Sequence, residues 1–208
     1  MKKIKIKICG QTNPAVIEHC INIGVNQQGL IFYENSPRNL ENDTLRIINK
    51  YFYEYQNIFV GVFVNPTLEQ IENKLNIFNF QTIQLHGDES QDLINKIKSE
   101  FKKKIYKSIS PEEFEVTHLK NIDSFLIEAK PNSTDQPGGN NKTWNWSNFK
   151  NPFNLPFILS GGLRQQNVIE AINLTGAEFI DINSGVEETK GEKNLTLIDS
   201  LISTLKNQ

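Results

Sequence analysis

The chain has 208 residues, enough for one larger α/β unit or for two small domains. A content of 38% hydrophobic, 22% charged and 10% aromatic residues supports a sizeable core and excludes a disordered or collagen-like chain. With 22 Lys plus Arg against 24 Asp plus Glu, the formal charge of -2 argues against a phosphate-backbone binder, and nucleic acid is not an expected partner.

Lys3 to Ile8 alternates charged residues with Ile4, Ile6 and Ile8, and Cys9-Gly10 then breaks the pattern, which predicts a first strand. Asn13-Pro14 reads as an N-cap followed by proline at the first helical position. Val16, Ile17, Cys20 and Ile21 then recur at helical spacing up to Gly24. The alternation repeats. QGLIF precedes a helix from about Asn42 to Tyr53, FVGVFV one from Thr67 to Phe78, and TIQLH one near Glu89 to Phe101. KKIYKSI precedes a shorter helix opened by Ser110-Pro111, and SFLIEA is the sixth strand. Pro131 to Asn141, rich in Pro, Gly, Asn and Ser, predicts a long loop, with a helical turn around Trp146. FILS then precedes a helix from Arg164 to Leu174, and EFIDIN one from Leu195 to Lys206.

Roughly eight strand-helix units predict a single parallel (β/α)8 TIM barrel over residues 1–208, with a doubly wound open sheet as the rival. Cys9, Asn65, His86, Glu128, Ser160 and Asn183 all fall at or just past strand C-termini, the face where barrel enzymes place their chemistry. The two cysteines, Cys9 and Cys20, make no disulfide framework, and no Cys/His cluster has metal-ligand spacing. A reducing compartment follows. The Lys/Ile alternation of MKKIKIKICG lacks the apolar run of a signal peptide, and no stretch approaches a membrane span. A soluble, cytoplasmic protein is expected.

Two glycine turns, SGGL at Ser160 to Leu163 and NSGVE at Asn183 to Glu187, follow the last two strands and together suit a phosphate, with a short helix after the second adding its positive end. Cys9 is either a small buried hydrophobe or, if cations or dipoles depress its pKa, a thiolate serving as base or nucleophile. Glu128 ends an apolar strand and is either a rim ion pair with Lys130 or an acid-base group. His86 reads as a structural hydrogen-bonding residue, Arg38 as a solvated loop cation or a carboxylate clamp, and Asp181 as an inward acceptor or a strand cap.

Taken together and in order, KICG, LIFYENSPR, GVFVN, QLHGDES, PGGNNKTWNW, ILSGGL and DINSGVE resemble phosphoribosylanthranilate isomerase over nearly the whole chain. The resemblance implies a (β/α)8 barrel of the tryptophan pathway that needs no cofactor. It implies conversion of N-(5'-phosphoribosyl)anthranilate to an amino-ketose by an acid-base Amadori rearrangement. Cys9 then matches the family's base and Glu128 its acid. Gly161, Gly162, Asn183, Ser184 and Gly185 fall at its phosphate site, and Arg38 near the substrate carboxylate, with His86 and Asp181 as further substrate-binding positions.

Three positions depart from the family pattern. Glu128 replaces Asp and adds one methylene. GGNNK at Gly138 to Lys142 replaces a GGTGK-like loop. Asn183 stands where Ser is common. A relative that keeps the phosphosugar pocket with weakened catalysis, or another phosphosugar-processing barrel enzyme, is the alternative. The bisubstrate histidine-pathway isomerase fits less well. A monomer and a homodimer are both compatible with the sequence.

Overall fold

The computed structural model describes residues 3–129 and 143–206. The Pro131 to Asn141 loop, the GGNNK segment and Lys130 lie outside the described residues. Eight parallel strands close into a barrel: β1 (Lys5–Ile8), β2 (Gln27–Phe32), β3 (Phe59–Phe63), β4 (Thr82–Leu85), β5 (Lys104–Ile109), β6 (Ser124–Ile127), β7 (Phe157–Leu159) and β8 (Phe179–Ile182). Closure is made by β8 against β1, in the register Lys5↔Phe179 to Ile8↔Ile182.

Helices α1 (Pro14–Asn22), α2 (Asn42–Phe52), α3 (Leu68–Ile77), α4 (Gln91–Phe101), α5 (Pro111–Glu115) and α6 (Val168–Thr175) alternate with the strands, and α7 (Leu195–Lys206) is the last described element. Local chemistry starts several of them. The Asn13 side chain accepts from Ala15 N with Pro14 behind it, and Ser90 accepts from Leu93 N. Thr67 with Gln70, and Ser110 with Glu113, form reciprocal capping boxes. No described helix is long and apolar enough to cross a membrane.

Strand parity sorts the core. Ile6, Ile8, Leu30, Phe59, Ile83, Ile105 and Ile180 belong to the clusters built with the helices. The alternate residues Ile31, Val60, Val62, Tyr106, Leu126 and Ile158 form a separate cluster with Cys9 inside the barrel. Lys7, two residues before Cys9, shares its side of β1 and is fully buried. That parity carries Cys9, His86, Glu128 and Ser160 toward the barrel mouth, each one residue past a strand end.

The sequence expectations differ from the structure mainly at element ends. The first strand starts at Lys5, because β8 supplies partners only from there. The NSGVE turn itself contains a single 3-10 turn, Ser184–Val186, and leads directly into the two-stranded ribbon β9 (Glu187–Thr189) and β10 (Glu192–Lys193); the next helix is α7. This corrects the expected short helix.

Candidate active site

Backbone hydrogen bonds fix the site residues to the barrel wall. Cys9 N donates to Ile182 O at 2.8 Å, His86 N to Phe63 O at 2.8 Å, Glu128 N to Ile109 O at 3.3 Å and Ser160 N to Ile127 O at 2.9 Å. Each side chain therefore projects from a rigid backbone, which a site held to catalytic tolerance requires. Cys9, Arg38, His86, Glu128, Asp181 and Asn183 all line one cleft at the barrel mouth. Ile31, Tyr33, Val62 and Val64 form its apolar wall on the β2–β3 side.

The Cys9 thiol is buried on the cleft floor. A Cβ on Gly29 of β2 would lie 2.6 Å from its Sγ, so the missing side chain there makes room for the sulfur. Burial pushes the thiol above its ordinary value, and the neighbouring Lys7 ammonium offsets this only in part. Lys7 is itself opposed by burial, yet Asp181 and Cys9 hold it protonated, above the usual lysine range. Its Nζ stands 2.9 Å from Asp181 Oδ1. Asp181 thus points inward, as one sequence reading had it, and holds the cation beneath the thiol. Cys20 packs fully buried on α1, and burial lifts its thiol to about 11.

Across the cleft, Glu128 Oε1 lies 2.5 Å from His86 Nε2 and accepts from Ser108 Oγ at 3.4 Å. Burial disfavours both charges, but the mutual attraction wins: it raises His86 and lowers Glu128. The couple holds one proton, resting on the imidazole. Gln84 Nε2 lies 3.0 Å from His86 Nδ1 and orients the ring. The turn after His86 is braced by buried Glu89, which accepts from Asn65 N at 2.9 Å and Gly87 N at 3.0 Å and pairs with Lys107 at 3.1 Å. Asn65, a mouth residue in the sequence reading, has this bracing role: its Oδ1 also accepts from Asp88 N at 2.7 Å.

Arg38 is 3% exposed rather than solvated. Its Nε and Nη2 donate to Glu187 Oε1 and Oε2 at 2.7 and 2.6 Å, a fork-to-carboxylate pair. Although burial opposes the charge, the Arg38 hydrogen bonds and the Lys193 charge hold the Glu187 carboxyl down at about 2. A carboxyl whose folded value lies below its unfolded one stabilises the fold above about 4.5 and loses that contribution as pH falls toward 2. The shift corresponds to about 3 kcal/mol at neutral pH. Thermal melts should therefore drop through this window for the native chain and fall less steeply for Glu187→Gln; parallel curves would refute the assignment.

In the first glycine turn, Gly161 and Gly162 take positive φ of 91° and 64°. The two turns interlock, since a Cβ on Gly185 would stand 1.9 Å from Leu163 O. The side chain of Asn167 ties the first turn, donating to Gly162 O at 3.0 Å and accepting from Arg164 N at 2.9 Å.

Sequence reasoning missed Lys7, Gln84, Glu187 and Lys193. Lys7 and Gln84 carried a readable signal, since each sits two residues before a site residue on the same strand face. Glu187 carried none, because its partner Arg38 lies 149 positions away, and Lys193 meets Glu187 and Asn183 through a β-ribbon where the sequence pointed to a short helix.

A family model described as N-(5'phosphoribosyl)anthranilate (PRA) isomerase matches residues 6–204. A relative so named from Sinorhizobium fredii is 30% identical over 211 residues, spanning 98% of this chain and 94% of its own. Another so named, from Acinetobacter calcoaceticus, is 32% identical, spanning 95% of this chain and 94% of its own. Among solved structures, the phosphoribosyl anthranilate isomerase from Thermotoga maritima superposes with a TM-score of 0.78 at 26% identity, covering 99% of this chain and 100% of that one. An isomerase of this name solved with reduced 1-(o-carboxyphenylamino)-1-deoxyribulose 5-phosphate gives a TM-score of 0.75 at 25% identity, with 99% and 100% coverage. With a thiol, a carboxyl, an arginine and two glycine turns gathered at one barrel mouth, and with the match running almost end to end, this chain belongs to the N-(5'-phosphoribosyl)anthranilate isomerase family.

Proposed function

We infer that the protein isomerises N-(5'-phosphoribosyl)anthranilate to 1-(2-carboxyphenylamino)-1-deoxyribulose 5-phosphate, with Cys9 as base and the Glu128–His86 couple as acid. The observation that carries this reading is that Cys9 and Glu128 line the same cleft as Arg38. Opening the furanose ring requires a proton on its ring oxygen. The His86 Nε2 proton moves to Glu128, which passes it on to the ring oxygen, and the C1'–O4' bond breaks to leave an iminium. Removing the C2' proton to the Cys9 thiolate gives the enolamine, which tautomerises to the amino-ketone. The proton taken by Cys9 returns to the couple through solvent.

Substrate placement follows from the same cleft. The aryl ring suits the apolar wall of Ile31, Tyr33 and Val62, beside Arg38 for its carboxylate. The sugar phosphate suits the two turns that leave the cleft edge at Ser160 and Asn183, over Gly161, Gly162, Ser184 and Gly185, where turn backbone and the opening of a 3-10 turn offer N–H groups. The functional assay is the loss of substrate fluorescence on adding purified protein. Consumption well above the spontaneous rate is expected, and none at micromolar protein would overturn the reading. Inorganic phosphate should compete with substrate. Gly185→Ala, forced against Leu163 O, should weaken that competition about tenfold, as read from the phosphate inhibition constant. An unchanged constant would remove this turn from the phosphate site.

A further inference from the structure

The β9–β10 ribbon brings a second cation to the Arg38–Glu187 pair. Lys193, 2% exposed at its side chain, donates to Glu187 Oε1 at 2.6 Å, to Asn183 O at 3.0 Å and to Asn183 Oδ1 at 2.7 Å. Arg38 is pressed against this assembly: a Cβ on Gly10 would fall 2.7 Å from Arg38 Cδ and 2.8 Å from Asn183 Oδ1. Glu187 takes Nε and Nη2 of Arg38 and leaves Nη1 unengaged by it. Arg38, Glu187 and Lys193 together sum to one positive charge at the edge of the cleft.

An arginine already forked onto a carboxylate is neutralised and presents little charge to a ligand. Here the same carboxylate is also held by a buried ammonium, so one positive charge stays uncompensated beside the apolar wall. We propose that Lys193 is a specificity-determining residue: by sharing Glu187 with Arg38, it leaves Arg38 a charge for the carboxylate of the substrate's aromatic ring. Lys193 touches neither the ring nor the reacting carbons and acts through Glu187 and Arg38. The assignment rests on the functional reading above, in that it needs a substrate with a ring carboxylate.

The test is equilibrium binding rather than turnover, because Lys193 also contributes to the field at Cys9. Calorimetry compares reduced 1-(o-carboxyphenylamino)-1-deoxyribulose 5-phosphate with the same compound lacking its ring carboxyl. The native protein should favour the carboxylated form. Lys193→Gln brings the local charge to zero and should cut that preference about tenfold, while affinity for the decarboxylated form changes less than about twofold. Lys193→Arg should keep the preference.

The double variant Lys193→Gln/Glu187→Gln restores one positive charge and should recover most of the preference, a result that a purely structural role for Lys193 does not produce. Lys193→Met, which keeps the aliphatic stem, gives the same reading if the glutamine variant folds poorly. Three outcomes overturn the proposal: equal native affinity for the two compounds, a preference unmoved in Lys193→Gln and Lys193→Met, or an equal loss of both compounds that the double variant deepens. Native protein that binds neither compound overturns the functional reading itself.

Discussion

Cys9→Ala should lower kcat by about 1000-fold while leaving the melting temperature within a few degrees. A positioned general base contributes about 100- to 10,000-fold, and none of the other groups lining the cleft is placed as this thiol is, over the cation that stabilises its ionised form. The sulfur fills a small space opposite Gly29, so truncation leaves a modest cavity inside a barrel whose walls stay paired. The pH profile carries the same signature. Because burial raises the thiol, kcat/KM should keep rising beyond pH 8.5, where an ordinary cysteine would level off. Lys7→Met removes the offsetting charge and should push that rise to still higher pH and lower the rate at neutrality. Near-normal turnover by Cys9→Ala in a single-turnover fluorescence assay would take the thiol out of the mechanism.

Glu128→Gln should lower kcat by about 100-fold or more, because the amide cannot take up the His86 proton and pass it to the ring oxygen, and it also strands the His86 charge. Glu128→Asp keeps a titratable carboxyl but draws it back from His86 by about one bond length, and should fall between the native protein and the glutamine variant. The longer side chain is what reaches His86 Nε2 at 2.5 Å, so the acid and its proton source operate as one unit. His86→Gln should therefore resemble Glu128→Gln in rate, and the double variant should lose little more than either single one. Additive losses, measured as kcat in a double-mutant cycle, would show that the two residues act separately.

The sequence located much of this site because the relevant signals are local. Alternating isoleucines, glycine turns and capped helix starts mark eight strand-helix units. A residue directly after a strand lies on the functional face of a barrel whatever its neighbours do. Cys9, Glu128 and both glycine turns were legible for that reason, and Arg38 through family motifs that keep their order along the chain. Helix and strand ends were less legible, since pairing partners decide where a strand begins, as β8 does for Lys5.

By itself, then, the sequence determined the barrel, the identity of the mouth residues and the position of the two glycine turns. Only the tertiary structure decided their charge state and company. Arg38 meets Glu187 across 149 positions, and His86 meets Glu128 across 42. Lys7 reaches Asp181 only because β8 closes onto β1. Such pairs have no sequence period to betray them. They form when barrel closure buries ionisable side chains together, where desolvation makes each charge depend on its partner.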